Sequence, residues 1–498
     1  MNLDMRSMEK LFDIVIAFYQ ERDYFDLLNI ILTKMMEITG ADGGTLYVVE
    51  DGMLHFRIMR TISLNIFQGG KDKIGLPPIK LDENNINNIS AYAAIKNEIV
   101  CIDDVYDSDE FNFSGPKNYD QMTGYRTCSM LVFPLTASSN DNSPEEVIGV
   151  IQLINSTDDV TGKLKPFDIN EDPIFLRAVA NISANALANL IYAKEIKELF
   201  NSFVRVMTKA VDERSPYTVN HTKNVAIYCT NFAAWLSNKF PQGHEYYLDD
   251  NRREQLSMAA LLHDIGKIIT PLEVMDKPDR LADGLDVILL KFEIKKQQTE
   301  NSYLKKEINS EQYEAAKKEL AEALELIKTV NTAPFLDDGK IAGVEKLASL
   351  TYIDDAGLTA PLLTTLNLDE LTVRKGTLTE AERLIMQEHV SVTGRLLEQM
   401  TFNKYYCNVP SLAKSHHEFL NGSGYPMGLS GSEIPLEVCI LSISDIYDAL
   451  IARDRPYKKA LPPEKALSIL TEMAGDGQLH KELVRLFIES KVWDTNAN

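Results

Sequence analysis

Met258-Ala259-Ala260-Leu261-Leu262-His263-Asp264-Ile265-Gly266-Lys267 sets a histidine directly beside a carboxylate where an apolar run ends. Adjacent helical residues point about 100° apart, so His263 and Asp264 reach one metal site only where the helix meets a pocket edge. Alone, the pair reads equally well as a buried His-Asp contact in which each satisfies the other. Its company decides the matter. His221 stands upstream, and His389, His416-His417 and Asp445 stand downstream, each on or beside a helical pattern. Five of the eight histidines belong to this set, leaving His55, His244 and His480 outside it.

From about residue 201 the pattern is helical throughout. Val206, Val225, Ile227 and Phe232 are expected on buried faces, with Ser215-Pro216 as a break and His221 in the first turns of a new helix. Imidazoles and carboxylates without thiolates suit Fe, Mn, Co or Zn and argue against a structural zinc site. The five cysteines show no CxxC spacing, as expected of reduced thiols.

The first half reads differently. Leu11, Ile14, Val15 and Phe18, then Phe25, Leu28, Ile31, Leu32 and Met35, repeat at helical spacing, and Ala41-Asp42-Gly43-Gly44 is expected to break the second helix. Strands are predicted over 45–49 and 54–59 about an Asp51-Gly52 turn, then over 99–102, 129–134 and 147–155. A helix over about 172–212 follows, without Gly or Pro after Pro173; its roughly 40 residues would span about 60 Å. Its Ala-rich stretch, AVANISANALANLIYA, lets two copies approach, which suggests a parallel dimer.

These features, with ADGGTLYVVEDG, NEIVCIDDVYDSDEF, SMLVFPL and VIGVIQLIN, resemble a GAF sensor domain over roughly residues 20–190. The resemblance implies dimerisation or the sensing of a small molecule. Members that bind cyclic nucleotides often carry Asn-Lys followed at a distance by Phe and Asp; here Asn155 precedes Ser156, while Phe167 and Asp168 remain.

A formal net charge of -22 argues against broad nucleic-acid or anionic-membrane binding, though a metal and a few local cations can still hold a small phosphorylated ligand. No run reaches the ~18 apolar residues of a spanning helix, and no secretion signal is read at the N-terminus, so a cytoplasmic location is expected.

The second half resembles an HD-GYP phosphodiesterase, through His263-Asp264-Ile265-Gly266-Lys267, RKGTLTEAERLIMQEHV, HHEFLNGSGYPMGLSGSEIPLEVCILSISDIYDAL and RDRPYKKA. That resemblance implies hydrolysis of cyclic di-GMP to pGpG or GMP by two divalent metals, Fe or Mn. The implied ligands are His221, His263, Asp264, His389, His416, His417 and Asp445, with Asp264 bridging and Lys267 beside the scissile phosphate. Gly424, Tyr425, Arg455 and Lys458 are the implied substrate contacts. A third metal is disfavoured, because Tyr217 stands where some members have Glu. Asn421, Ile269 and Leu272 also depart from the pattern.

The expected architecture is multidomain: an α+β GAF domain with N-terminal helices (1–190), a linker helix (172–212), an all-α HD-GYP domain (201–282 and 376–498) and a helical insertion (283–375). The insertion's first part is suited to an antiparallel helical hairpin, its second to short helices and loops. A hydrolase of another nucleotide phosphoester and a catalytically silent scaffold are the competing readings.

Overall fold

The computed structural model describes residues 5–21, 23–70, 74–137, 146–158, 161–168, 173–214, 220–452 and 460–494. The chain divides into two compact units, Met1–Phe200 and Asn201–Asn498. No helix among the described residues is long and apolar enough to cross a membrane.

In the first unit, α1 (Met5–Gln20) and α2 (Tyr24–Thr39) precede β1 (Ala41–Glu50), β2 (Met53–Thr61), β3 (Ile66–Gly69) and β4 (Ile79–Lys80). Then come α3 (Ile89–Lys96), β5 (Val100–Ile102), α4 (Ser114–Thr123), β6 (Met130–Ala137), β7 (Glu146–Thr157), β8 (Leu164–Lys165) and α5 (Pro173–Asp212). The strands pair antiparallel in the order β3-β2-β1-β7-β6-β5. Asp23 caps α2 by accepting from the amides of Phe25 and Asp26, and Gly40 ends it at φ +63°. Asp51 and Gly52 turn the β1–β2 hairpin with positive φ at both positions, as expected of that dipeptide.

The expected break at residues 41–44 is corrected in one respect. The helix stops at Gly40, and Ala41 to Gly44 already belong to β1. Gly43 and Gly44 serve close packing there: a Cβ would sit 2.8 Å from Ile154 Cγ1 at the first and 2.8 Å from Leu32 Cδ1 at the second. One sheet face packs on α1, α2 and the first half of α5 through Leu28, Ile31, Leu46, Ile58, Phe133 and Val179. The other face packs on α3 through Tyr47, Leu54, Ile89, Met130 and Val132.

The second unit is built on α6 (His221–Lys239), α7 (Asp250–Leu262), α8 (Leu272–Met275), α9 (Gly284–Leu304), α10 (Ser310–Thr332) and α11 (Asp338–Lys346). After the hairpin β9 (Thr351–Ile353) and β10 (Thr359–Pro361) come α12 (Thr365–Leu371), α13 (Glu380–Glu398), α14 (Val409–Lys414), α15 (Leu436–Ile451), α16 (Pro463–Gly475) and α17 (Lys481–Ser490). α15 is the central rod, buried without interruption from Glu437 to Asp445 and packed against α6, α7, α14 and α16. Val225 and Phe232 are fully buried as expected, but Val206 is 63 % and Ile227 38 % exposed. Periodicity identified helical faces there; it could not tell which face a neighbour covers.

Between α8 and α13, α9 and α10 form a helical hairpin across a short turn, with the rings of Tyr303 and Tyr313 stacked at 4.7 Å. With α11, α12 and the small hairpin, which stands where a loop is expected, they share a core of Ile288, Phe292, Ile327, Val330, Val344 and Leu371. Arg280, fully buried, fastens both ends of this segment. Its guanidinium donates to the carbonyls of Val330 at 2.6 Å, Ala333 at 2.5 Å and Val373 at 2.9 Å. Lys277 joins Glu370 of α12 to Glu382 of α13 at 3.1 and 2.7 Å. Arg280→Met keeps the aliphatic bulk but strips the Ala333 and Val373 carbonyls of their donor and leaves Val330 O only the Ala333 amide, at ~1–3 kcal/mol for each carbonyl left unsatisfied. The expected outcome is a lowered urea midpoint and faster limited proteolysis within residues 284–371.

Candidate metal centre

The site assembles where helices end. α7 stops at Leu262, His263 caps it, and Asp264 opens a tight turn over Ile265–Ile269. His221 is the first residue of α6, His389 lies within α13, His416 and His417 follow α14, and Asp445 projects from α15. All seven candidate ligands converge in one buried cluster; His417 alone is only half-buried.

Asp264 is the centre of it. Its Oδ2 lies 3.3 Å from His263 Nε2 and 3.6 Å from His221 Nε2. Its Oδ1 lies 3.3 Å from His389 Nε2 and 4.0 Å from His416 Nε2. Each oxygen of one carboxylate therefore faces a different pair of imidazoles. Asp445 completes the first group, with Oδ1 3.1 Å from His221 Nε2, and its Oδ2 lies 3.9 Å from His417 Nδ1. Within each of the sets His221-His263-Asp445, His263-Asp264-His416 and His389-His416-His417, ligand atoms lie within 4.8 Å of one another, close enough to hold a metal ion.

The chemistry of the donors fits a cation. His263, His389 and His416 commit Nδ1 to the carbonyls of Ala260, Met386 and Ala413 at 2.7, 2.5 and 2.7 Å. A carbonyl only accepts, so Nδ1 carries the proton and Nε2 presents a lone pair. All three Nε2 atoms are buried and have no hydrogen-bond partner. Burial holds the pKa of His417 down to about 4 and that of His416 well below the usual histidine range, so both are neutral at pH 7. Burial also works against charge on Asp264, but the Lys267 ammonium 2.6 Å from Oδ2 outweighs it and keeps the carboxylate ionised. At His221 burial is outweighed by Asp445 and Asp448, which raise the imidazole to about 9. Concentrated buried negative charge beside free lone pairs is a cation's environment.

Several residues missed by sequence reasoning set this geometry. Asp448 holds His221 Nδ1 at 2.7 Å, and its i+3 spacing from Asp445 on one helix was the available signal. Thr393 accepts from Gly266 N at 3.0 Å and donates to the His263 carbonyl at 2.9 Å, pinning the turn to α13. Gly266 permits that approach: a Cβ there would lie 2.0 Å from the His389 carbonyl oxygen. Ser442 donates to the His416 carbonyl at 2.6 Å, and buried Glu418 accepts from Met427 N and Leu429 N at 2.7 and 2.9 Å.

Among the expected substrate contacts, Lys267 Nζ lies 2.6 Å from Asp264 Oδ2 with its side chain 19 % exposed, at the open side of the cluster. The Tyr425 ring lies 4.9 Å from that of His417, and its amide donates to the His417 carbonyl at 3.2 Å. Gly424 presses on backbone, since a Cβ would lie 2.4 Å from Phe419 N. Arg455 and Lys458, like Tyr217, lie outside the described residues. Asp448→Asn exchanges the acceptor that orients His221 for an amide; metal affinity is expected to fall about 10- to 100-fold, read by competition with a chelating dye.

Residues 23–187 match a family model described as a GAF domain, and residues 218–335 and 366–483 each match a model described as an HD domain. The chain is 25% identical over 307 residues to the 3'3'-cGAMP-specific phosphodiesterase 3 of Vibrio cholerae serotype O1, covering 61% of this chain and 43% of that protein. It is 31% identical over 140 residues to a cyclic di-GMP phosphodiesterase of Thermotoga maritima, covering 26% of this chain and 38% of the relative. A third relative, the cyclic di-GMP phosphodiesterase response regulator RpfG of Xanthomonas campestris pv. campestris, is 38% identical over 107 residues, 22% of this chain and 28% of its own. The chain thus spans less than half the length of each of these curated relatives. The first HD match carries His221, His263 and Asp264, the second His389, His416, His417 and Asp445. The chain is accordingly an α+β GAF domain followed by a helical HD-domain region, whose two matched segments supply a single cluster of imidazoles and carboxylates.

Proposed function

We propose that this protein is a metal-dependent phosphodiesterase of the HD-GYP type, hydrolysing cyclic di-GMP to pGpG and/or GMP in the cytoplasm under control of its GAF domain. The observation that carries the reading is the division of Asp264, one oxygen turned to His221 and His263, the other to His389 and His416. We assign one divalent cation, Fe or Mn, to His221, His263, Asp264 and Asp445, and a second to Asp264, His389, His416 and His417. Two such ions supply an activated water and neutralise the charge of a phosphodiester under in-line attack.

The chain's own groups do the rest. Neutral imidazoles hold the cations without cancelling the positive charge that the phosphate needs. Lys267 offers an ammonium to the developing charge or the leaving oxygen. Gly424 brings the 421–426 turn against the His417 backbone, and Tyr425 stands over the His417 ring as a wall for the substrate. Arg455 and Lys458 are assigned to phosphate or guanine. A specific observation favours a second substrate: a relative matched over 307 residues is named for 3'3'-cGAMP. Protein loaded with Mn or Fe should therefore be offered both cyclic dinucleotides and its products separated. Asp264→Ala is expected to lose retained metal and all turnover, and hydrolysis surviving in that variant would remove the assignment. Turnover of neither compound by metal-loaded wild type would leave the two competing readings, a hydrolase of another nucleotide phosphoester and a silent scaffold.

We further propose a parallel homodimer through the GAF domain and α5. The support is a stripe along that helix, Tyr192, Ile196, Leu199, Phe203 and Val206, all exposed and spaced alternately four and three apart. That is the a/d repeat which an identical helix covers. Placing glutamate at Leu199 and Phe203 together is expected to yield a monomer by light scattering, with metal content unchanged.

A further inference from the structure

A cavity of about 590 Å³ opens on the GAF sheet, on the face away from α1 and α2. Tyr47, Phe56, Met130 and Ile154 are among the residues that make its wall apolar, and its described lining includes no Asp, Glu, Lys or His. Arg60, the one charged residue along it, donates its guanidinium to Thr33 of α2 at 2.9 Å, across the sheet. In a chain of net charge -22 such a lining is selective. An anion entering it would lose its water and find no cation to repay the loss.

Two polar groups on the cavity floor remain unspent. Thr45 and Gln152 are cross-strand neighbours on β1 and β7. The Gln152 Oε1 already accepts from Tyr47 at 3.2 Å and Ser90 at 2.8 Å, so what it can still offer is the donor Nε2. Thr45 is only 8 % exposed, and its hydroxyl has no partner among the described residues. Of the other polar lining groups, Asn88 Oδ1 caps α3 and Thr61 meets the Tyr119 hydroxyl at 3.3 Å, while Gln68 and Asn118 stand exposed to solvent and are satisfied by water. Asn155, the residue matching the cyclic-nucleotide pattern, spends its amide on Cys128 N and Arg126 O, both at 2.7 Å, and does not line the cavity.

We infer that this cavity binds an uncharged, largely apolar or aromatic small molecule that presents one hydrogen-bond acceptor, a carbonyl or ring nitrogen, to Thr45 and Gln152. The inference is independent of the hydrolytic reading, because its readout is binding. The probe is prodan, a neutral naphthyl ketone whose emission shifts to the blue in apolar surroundings, titrated into the full-length chain. Anilinonaphthalene sulfonate serves as the anionic counterpart and cyclic GMP as competitor. Prodan is expected to bind at one equivalent per chain and to resist displacement by excess cyclic GMP, with the sulfonate at least tenfold weaker at the site. Thr45→Val removes a hydroxyl that bonds nothing in the protein, so the fold stands; it should weaken prodan about five- to tenfold. Ile154→Trp fills the cavity and should abolish the shift, with an unchanged far-ultraviolet circular dichroism spectrum reporting the fold. The inference is overturned if prodan fails to bind, if it binds both variants as it binds wild type, or if cyclic GMP or the sulfonate takes the site as readily.

Discussion

Three imidazoles are aimed by the same short bond. His263, His389 and His416 each give the Nδ1 proton to the carbonyl of the residue three before them. The bond is local, so the orientation of each ring is set within a single turn of backbone. It also settles the tautomer, which leaves Nε2 as a lone pair pointing into a core with nothing there to satisfy it. A buried unsatisfied polar atom costs ~1–3 kcal/mol, and three share one small volume. The cluster is thus destabilising by itself, and a cation held there would offset that cost and link its binding to the folding of this half.

Bringing the rings together falls to contacts that carry no charge. Gly266 lets the turn after α7 lie against α13, and the Thr393 hydroxyl holds it there by accepting from the Gly266 amide and donating to the His263 carbonyl. Ser442 ties the His416 backbone to α15, the rod that also carries Asp445 and Asp448. Because α15 is buried along most of its length, its two carboxylates cannot swing away to water, and their separation from His221 is set by helix packing.

The segment between Asp264 and His389 shows how a long interruption leaves the site intact. It has its own apolar core, and Arg280 near its start holds the end of α10 through Val330 and Ala333 and the stretch after α12 through Val373. Five guanidinium donors spread over one planar fork reach carbonyls on two separate stretches of chain at once. The lysine nearby, Lys277, instead pairs with two glutamates on successive helices.

Much of this was legible along the chain. Alternating strands, the Asp51-Gly52 turn and the run without Gly or Pro after Pro173 are local signals, and local backbone preference expresses them directly. The candidate ligands were legible because imidazoles and acids at the ends of apolar helices are costly unless used. The roles of Asp448 and Thr393 were not, since the partner of each lies far away in sequence, and Glu418 acts through amides beyond the 421–426 turn. Val206 and Ile227 mark the same boundary: a 3.6-residue period shows that a face exists, whereas packing decides whether anything covers it. The free donors of Thr45 and Gln152 are likewise invisible one residue at a time, because their freedom depends on what Tyr47, Ser90 and neighbouring strands have already taken. Element types and donor chemistry follow from bonds within a few residues. Distances between donors, and which polar atoms stay unpaired, follow from tertiary packing, because both are properties of pairs that the chain separates by many turns.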